Sequence, residues 1–235
     1  MNIRKTIAVF QKQMEDTLKN KAVLIQFVMF PFLAVIMKNS IKIEGMPENY
    51  FVTLFASMYL AMAPITSMAS IIAEEKERNT LRVLIMSNVR PVDYLIGVGT
   101  YVWLFCLAGS GVLALTGNYA GKSVLEFVGI MAVGITISVL IGAAIGTWSK
   151  NQMMATSLTV PVMMVFSFIP MLSSYNHTIA SVGKVAYSQQ IYTLMNQIGN
   201  LQFKSESVAV ILVNFVIMFS LFLFAYQKTI LKGQY

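Results

Sequence analysis

Few side chains in this sequence can hold a metal, relay a proton or act as a nucleophile: ten carboxylates, one histidine and one cysteine. Metal sites need clustered His, Cys and acidic ligands, and a cysteine nucleophile needs a base within hydrogen-bond reach. His177 falls in the polar stretch "SSYNHTIA" and Cys106 in the middle of an apolar run, so neither chemistry assembles from them within one chain. His177 reads as an exposed loop residue, and Cys106 as a small apolar filler that can form no internal disulfide. The segment "GNYAGKS", 117–123, imitates a phosphate-binding loop, but it has three residues between its glycines and follows no strand. No carboxylate sits deep in an apolar run: Glu126 and Glu206 lie at run ends, as do Glu74 and Glu75. Ion-driven pumps ordinarily carry the coupling ion on a buried ionisable group, which leaves only backbone carbonyls for binding sodium. The chain is therefore expected to have no catalytic, metal or cofactor site of its own.

What the sequence concentrates is charge. The stretch "EEKERNTLRVLIMSNVRPVDYLIG", 74–97, holds eight of the 27 charged side chains between two long apolar runs. Overall, 57% of the 235 residues are hydrophobic and 11% charged, with a mean hydropathy of +0.68, whereas soluble domains are about a quarter charged. A helix needs about 20 apolar residues to cross a hydrocarbon core of about 30 Å. Six runs qualify: 22–37, 51–73, 94–116, 124–148, 153–172 and 207–226. The chain is predicted to be an all-α integral membrane protein, a single transmembrane domain over 1–235. Ahead of the first run, Ile3, Ile7, Phe10, Met14 and Leu18 recur at helical spacing opposite Lys5, Lys12, Glu15 and Lys19, predicting an interfacial helix over 1–21. That segment is too long for the basic start of a secretory signal, so the first span is expected to stay.

Lysine and arginine set the orientation. With the N-terminus cytoplasmic, the inner segments 1–21, 74–93, 148–152 and 227–235 carry 12 of them, and the outer segments 38–50, 117–123 and 173–206 carry 5. Both termini are thus expected to be cytoplasmic. The formal charge of +7 is mostly this asymmetry, suited to anionic inner-leaflet membrane lipids. No basic block with interleaved aromatics appears, so nucleic acid is not an expected partner.

In that topology 74–93 is the largest cytoplasmic loop between spans. Glu74, Glu75, Lys76, Glu77 and Arg78 extend the second span into water, and Asn79 or Thr80 can cap a short helix. Leu81, Leu84, Ile85 and Val89 share one face of it, and the helix is expected to lie flat beneath the bilayer. Pro91 suits the first turn of the third span. In the fourth span Gly134, Ser138, Gly142 and Gly146 place a small residue every four positions, allowing close helix approach within the chain or at a subunit seam. Pro31, Pro64, Pro161 and Pro170 are candidate hinges.

The loop resembles the hallmark of the type-2 permeases of ATP-binding-cassette (ABC) exporters: an acidic and basic run, Thr-Leu, a helix turn, then Pro-Val a few residues before a glycine. In that family it is a coupling helix that docks in a groove of a separate ATPase subunit. The resemblance implies ATPase-coupling positions at Glu74, Glu75, Glu77, Arg78, Thr80, Leu81, Leu84 and Pro91, with Ile85 sharing the apolar docking face. Two positions depart: the family usually has Gly before Thr-Leu, here Asn79, and Gly-Lys near the loop's end, here Gly97 and Val98. It also implies an N-terminal interfacial helix, six transmembrane helices, and short outer-leaflet helices in 173–206. There Ile179, Val182, Ala186, Ile191, Leu194, Met195 and Ile198 recur at mostly helical spacing, which an ordinary surface helix would share.

The resemblance thus implies the permease subunit of an ABC exporter in a bacterial plasma membrane, not itself an enzyme. Its partners would be a second permease chain, identical or related, and an ATPase that holds ATP and Mg. The lack of buried charge points to an apolar or amphipathic cargo: a hydrophobic peptide, a drug or a lipid-like molecule. The rivals are a non-transport membrane sensor or scaffold, and sodium or polysaccharide export by the same architecture.

Overall fold

Helix is the only extended regular element among the described residues of the computed structural model, which are 3–19, 21–41, 47, 49–199 and 204–231, without the side chains of 21–23 and 229–231. In chain order the helices are α1 (Ile3–Lys19), α2 (Lys21–Ser40), α3 (Tyr50–Glu77), α4 (Thr80–Met86), α5 (Pro91–Thr116), α6 (Lys122–Trp148), α7 (Gln152–Ser173), α8 (His177–Gly183), α9 (Tyr187–Met195) and α10 (Ser205–Leu231). Five of them, α3, α5, α6, α7 and α10, are long and apolar enough to cross a membrane. A sixth span results if α1 and α2, bent by 68°, are taken together. This is the make-up of a multi-pass membrane protein. Each apolar run lies inside one helix, and most helices continue into polar residues because backbone i→i−4 bonding does not stop at the edge of hydrocarbon. Glu44 and Glu48 of the expected outer loop, residues 201–203, and the tail past 231 lie outside the described residues.

The helix ends follow local chemistry. The Asn151 side chain accepts from the Met154 N–H, and that of Asn176 from the N–H groups of Thr178 and Ile179, starting α7 and α8. Pro91, in the first turn of α5, follows an extended Arg90.

The bundle is organised around α3. Its most apolar stretch is 72% buried, against 11% for α10, and it packs on α2, α5, α6, α7 and α9. α6 reaches it through its small-residue ladder. A Cβ on Gly142 would stand 2.7 Å from the Ile65 carbonyl oxygen, and one on Gly146 3.0 Å from that of Ala69. Gly134 faces Leu60, and Ser138 shares a 2.7 Å hydrogen bond with the Tyr187 hydroxyl of α9. The ladder therefore packs inside the chain, where dispersion contact replaces the hydrophobic drive that lipid does not supply. Burial pushes the Tyr187 phenol up, outweighing the opposing pull of Ser138, so it stays neutral and acts as a hydrogen-bond partner. On the opposite side α10 exposes Val208, Leu212, Phe215, Phe219 and Leu223 in a row, a surface suited to hydrocarbon.

The face that α1 buries carries Val9, Gln13 and Thr17; Ile3, Ile7, Met14 and Leu18 stay exposed. Gly97 makes room for it on α5, since a Cβ there would lie 2.9 Å from Val9 and from the Thr6 carbonyl. Four of the five residues of the predicted apolar stripe thus point away from the protein, as a helix on a membrane surface requires, whereas Phe10 turns inward and packs edge-on against Tyr101 of α5. Beyond α7, the periodicity of 179–198 resolves into two short helices. Val182 is exposed on α8, while Tyr187, Ile191, Leu194 and Met195 of α9 are buried among the long helices.

Candidate functional site

The last turn of α3 carries four charged residues in succession, and each is tied to a different part of the molecule. Glu74 pairs with Arg78 at 2.9 Å, one turn on. Glu75, only 5% exposed, accepts from the Lys12 ammonium, from the Gln13 amide at 3.0 Å and from the Thr80 hydroxyl, so it joins α1 to the start of α4. Lys76 donates to the carbonyls of Thr147 and Ser149, the latter at 3.2 Å, where α6 ends with unpaired acceptors and the negative end of its dipole. Glu77 accepts from the N–H of Gln152 at 2.8 Å, at the positive end of α7. Lys5 adds a bond from α1 to the Asn88 carbonyl. One helical turn therefore fastens α1, α4, α6 and α7 together at a single end of the bundle.

The chain turns out of α3 at Asn79, whose φ of +56° is left-handed, and out of α4 at Asn88, φ +63°. Asparagine tolerates this conformation better than other residues with a side chain. Asn79 makes no side-chain capping bond, and the Thr80 hydroxyl bonds back to Glu75, so the expected cap by either residue is replaced by a link to α3. α4 ends at Met86, short of the expected 89.

The predicted apolar face exists but looks inward. Leu81 is 1% exposed, and Leu84, Ile85 and Val89 pack against the chain's own core. Leu81 is thus taken up by the chain itself and has no surface left to fill a groove in another protein, while Leu84 and Ile85 are half-buried: periodicity tells which residues share a face, not which body covers it. The outward side of α4 and its flank presents Arg82, Val83, Met86 and Arg90 instead, with Val83 61% and Met86 79% exposed.

Two further groups escape a reading of the sequence. Glu75 is buried, and so is Asp93 in the first turn of α5. The absence of buried carboxylates therefore holds for the middle of the long helices and not for their ends. Lys12 and Gln13 could be found only as polar residues on the seam of α1, because no local pattern connects them to Glu75. His177 opens α8 in an exposed position, Cys106 is buried within α5, and no cluster of metal-ligating side chains occurs among the described residues. No protein-family model matches the chain, and no curated protein matches it.

Proposed function

We propose that this chain is the permease subunit of an ABC exporter of the type-2 kind, in a bacterial plasma membrane with both termini cytoplasmic. In this reading α2 alone is the first of six spans and α1 lies in the inner interface, with α4 as the coupling helix and α8 and α9 in the outer leaflet. It works with a second permease chain and a separate ATPase that supplies ATP and Mg; the cargo is apolar or amphipathic.

The observation that carries this is the anchoring of α4. A helix that receives force from a soluble motor must be joined firmly to what it moves and must also present a free surface to the motor. α4 is joined by Leu81 and by the Thr80–Glu75 bond, and its other side offers Arg82, Val83 and Met86. The coupling positions accordingly divide. Glu75, Thr80, Leu81, Leu84 and Ile85 hold the helix to the bundle, Glu74 and Arg78 brace the turn before it, Glu77 ties α7, and Pro91 starts α5. The positive φ at Asn79 also supports the family reading. Glycine, the family's usual residue there, adopts that conformation without strain, and asparagine preserves the same backbone.

Motion of α4 then passes through the last turn of α3 to α6 and α7, by way of Lys76 and Glu77. The test is a photo-crosslinking amino acid placed at Met86 in the full chain in its native membrane. It should capture an ABC ATPase subunit, whereas the same group at Leu125, exposed at the opposite end, should not. ATP hydrolysis should occur in the complex and be absent from the chain purified alone. Hydrolysis by the isolated chain, or no ATPase captured at Met86, would refute the assignment.

A further inference from the structure

Below the charged junction, α2, α3 and α7 leave a cavity of about 190 Å³. Gln26, Thr66, Ser70, Thr156 and Thr159 contribute neutral hydrogen-bonding groups to its wall; the rest is apolar, and no lining residue is charged. At 1.5 Å per residue, Thr156 and Thr159 lie about 6 and 10 Å along α7 from Gln152, and Ser70 and Thr66 about 10 and 16 Å back from Glu77. The cavity is therefore inside the apolar body of the bundle, on the side of the charged end.

Three features mark it as a place for a ligand. Thr159 is 3% exposed and its hydroxyl has no hydrogen-bond partner among the described residues, although Thr66 and Thr156 each donate to the carbonyl one turn back. An unpartnered hydroxyl among apolar helices is costly and calls for an acceptor or donor from elsewhere. Secondly, Gln26 Oε1 lies 3.3 and 3.2 Å from the hydroxyls of Thr66 and Ser67; with the single Thr66 proton engaged by the Met62 carbonyl at 2.6 Å, it keeps acceptor capacity for a further partner. Thirdly, Thr156 and Val160 also line a shallow groove on the outer face of α7 with Ser157 and Pro161, so the exposed Thr156 marks a way in from the membrane side.

We propose that this cavity binds the uncharged hydrogen-bonding head, an alcohol or amide, of an amphiphile whose tail lies along the groove on α7. An apolar cavity of about 150 Å³ holds benzene, so this one takes a head group with a few methylenes, not a whole peptide. A carboxylate or ammonium would shed its water with no opposite charge to meet it. A bare alkane would leave the polar wall unpaired. The site supplies a cargo class for the transport reading above, on which its physiological role rests; binding itself does not depend on that reading.

The test uses the full chain in lipid nanodiscs, without ATP or ATPase, irradiated with a diazirine-bearing octanol and mapped by mass spectrometry. Saturable labelling is expected within 66–70 and 156–163, displaced by 1-octanol and not by octanoate or octane. Thr159→Val should reduce it about fivefold, the loss of one hydrogen bond, and Ser70→Ala on the facing wall should act in the same direction. Thr159→Ser should retain it, and labelling along α10 should be unchanged in every folded variant. Non-saturable labelling, equal displacement by octanoate, or indifference to both Thr159→Val and Ser70→Ala would overturn the proposal and leave the cavity to water. Since no nucleotide or partner enters this assay, its failure leaves the ATPase reading standing, and failure of the crosslinking test leaves the cavity standing.

Discussion

Placing an aspartate on each side of α4 in turn separates anchoring from docking. Leu81→Asp removes the burial of a leucine side chain, worth about 1.5–3 kcal/mol. It also sets an unpartnered polar group into the core, which costs about 1–3 kcal/mol more by mutational measures, beside a turn that already buries Glu75. The sum, about 2.5–6 kcal/mol, is at its upper end comparable with the whole stability of many domains. Met86→Asp and Val83→Asp change side chains that already face solvent and should stay within about 0.5 kcal/mol. Membrane abundance, thermal melting in detergent, ATPase co-purification and transport should therefore split two ways. Leu81→Asp loses folded protein, and with it everything else. Met86→Asp and Val83→Asp should melt like the parent and, under the proposed function, lose the ATPase and transport. If Leu81→Asp melted like the parent, the anchoring of α4 would be wrong. If both outward variants kept full co-purification and transport, the docking surface would lie elsewhere.

Glu75→Ala strips partners from Lys12, Gln13 and Thr80 at once; it should lower stability by about 2–4 kcal/mol, with Glu75→Gln losing less, and a parent-like melting curve for the alanine variant would dissolve the knot. With Cys106 replaced, a cysteine at Asn118 or Asn176 should react with an impermeant thiol reagent in intact cells and one at Asn88 should not; the opposite pattern reverses the orientation. Gly142→Ala drives a methyl group against the Ile65 carbonyl and should destabilise the chain, whereas Gly129→Ala, with nothing within 4 Å, should be neutral or gain up to about 1 kcal/mol of helix propensity. Equal melting of the two variants would contradict the close α3–α6 contact.

The long helices were legible because a hydrocarbon slab imposes its own length on any apolar run, and all six runs lie within helices. Register within the bundle was legible where small residues recur, as from Gly134 to Gly146, since close approach needs a missing Cβ. What stayed hidden was which body covers an apolar face. The stripe of Leu81, Leu84 and Ile85 has the same spacing whether a partner or the chain's own core buries it. The pairing of Lys12 with Glu75 was equally invisible, because it joins positions 63 residues apart that only the packing of α1 on α5 brings together. Glu75 and Lys76 read as solvated charges extending a span; in the fold they are bonded to α1, α4 and the end of α6.

This arrangement connects the junction and the cavity through α3 and α7, each of which carries a proline near the cavity. Glu77 ties the end of α3 to the start of α7, and the cavity walls follow at Ser70 and Thr66 on one helix and at Thr156 and Thr159 on the other. Pro64 follows just beyond Thr66 in α3, and Pro161 stands within the α7 wall between Val160 and Met163, each inside a continuous helix. A proline there removes one i→i−4 bond, so bending concentrates at such a point. Segments 65–77 and 152–160 thus share a joint at the charged end, and each runs to a proline that is a candidate hinge. Under the proposed function, a push on α4 tilts these two segments together about their prolines. The walls of the head-group site would then move with the first displacement of α4, over about 10 Å of helix from Glu77 to Ser70, with no longer pathway needed between motor and cargo.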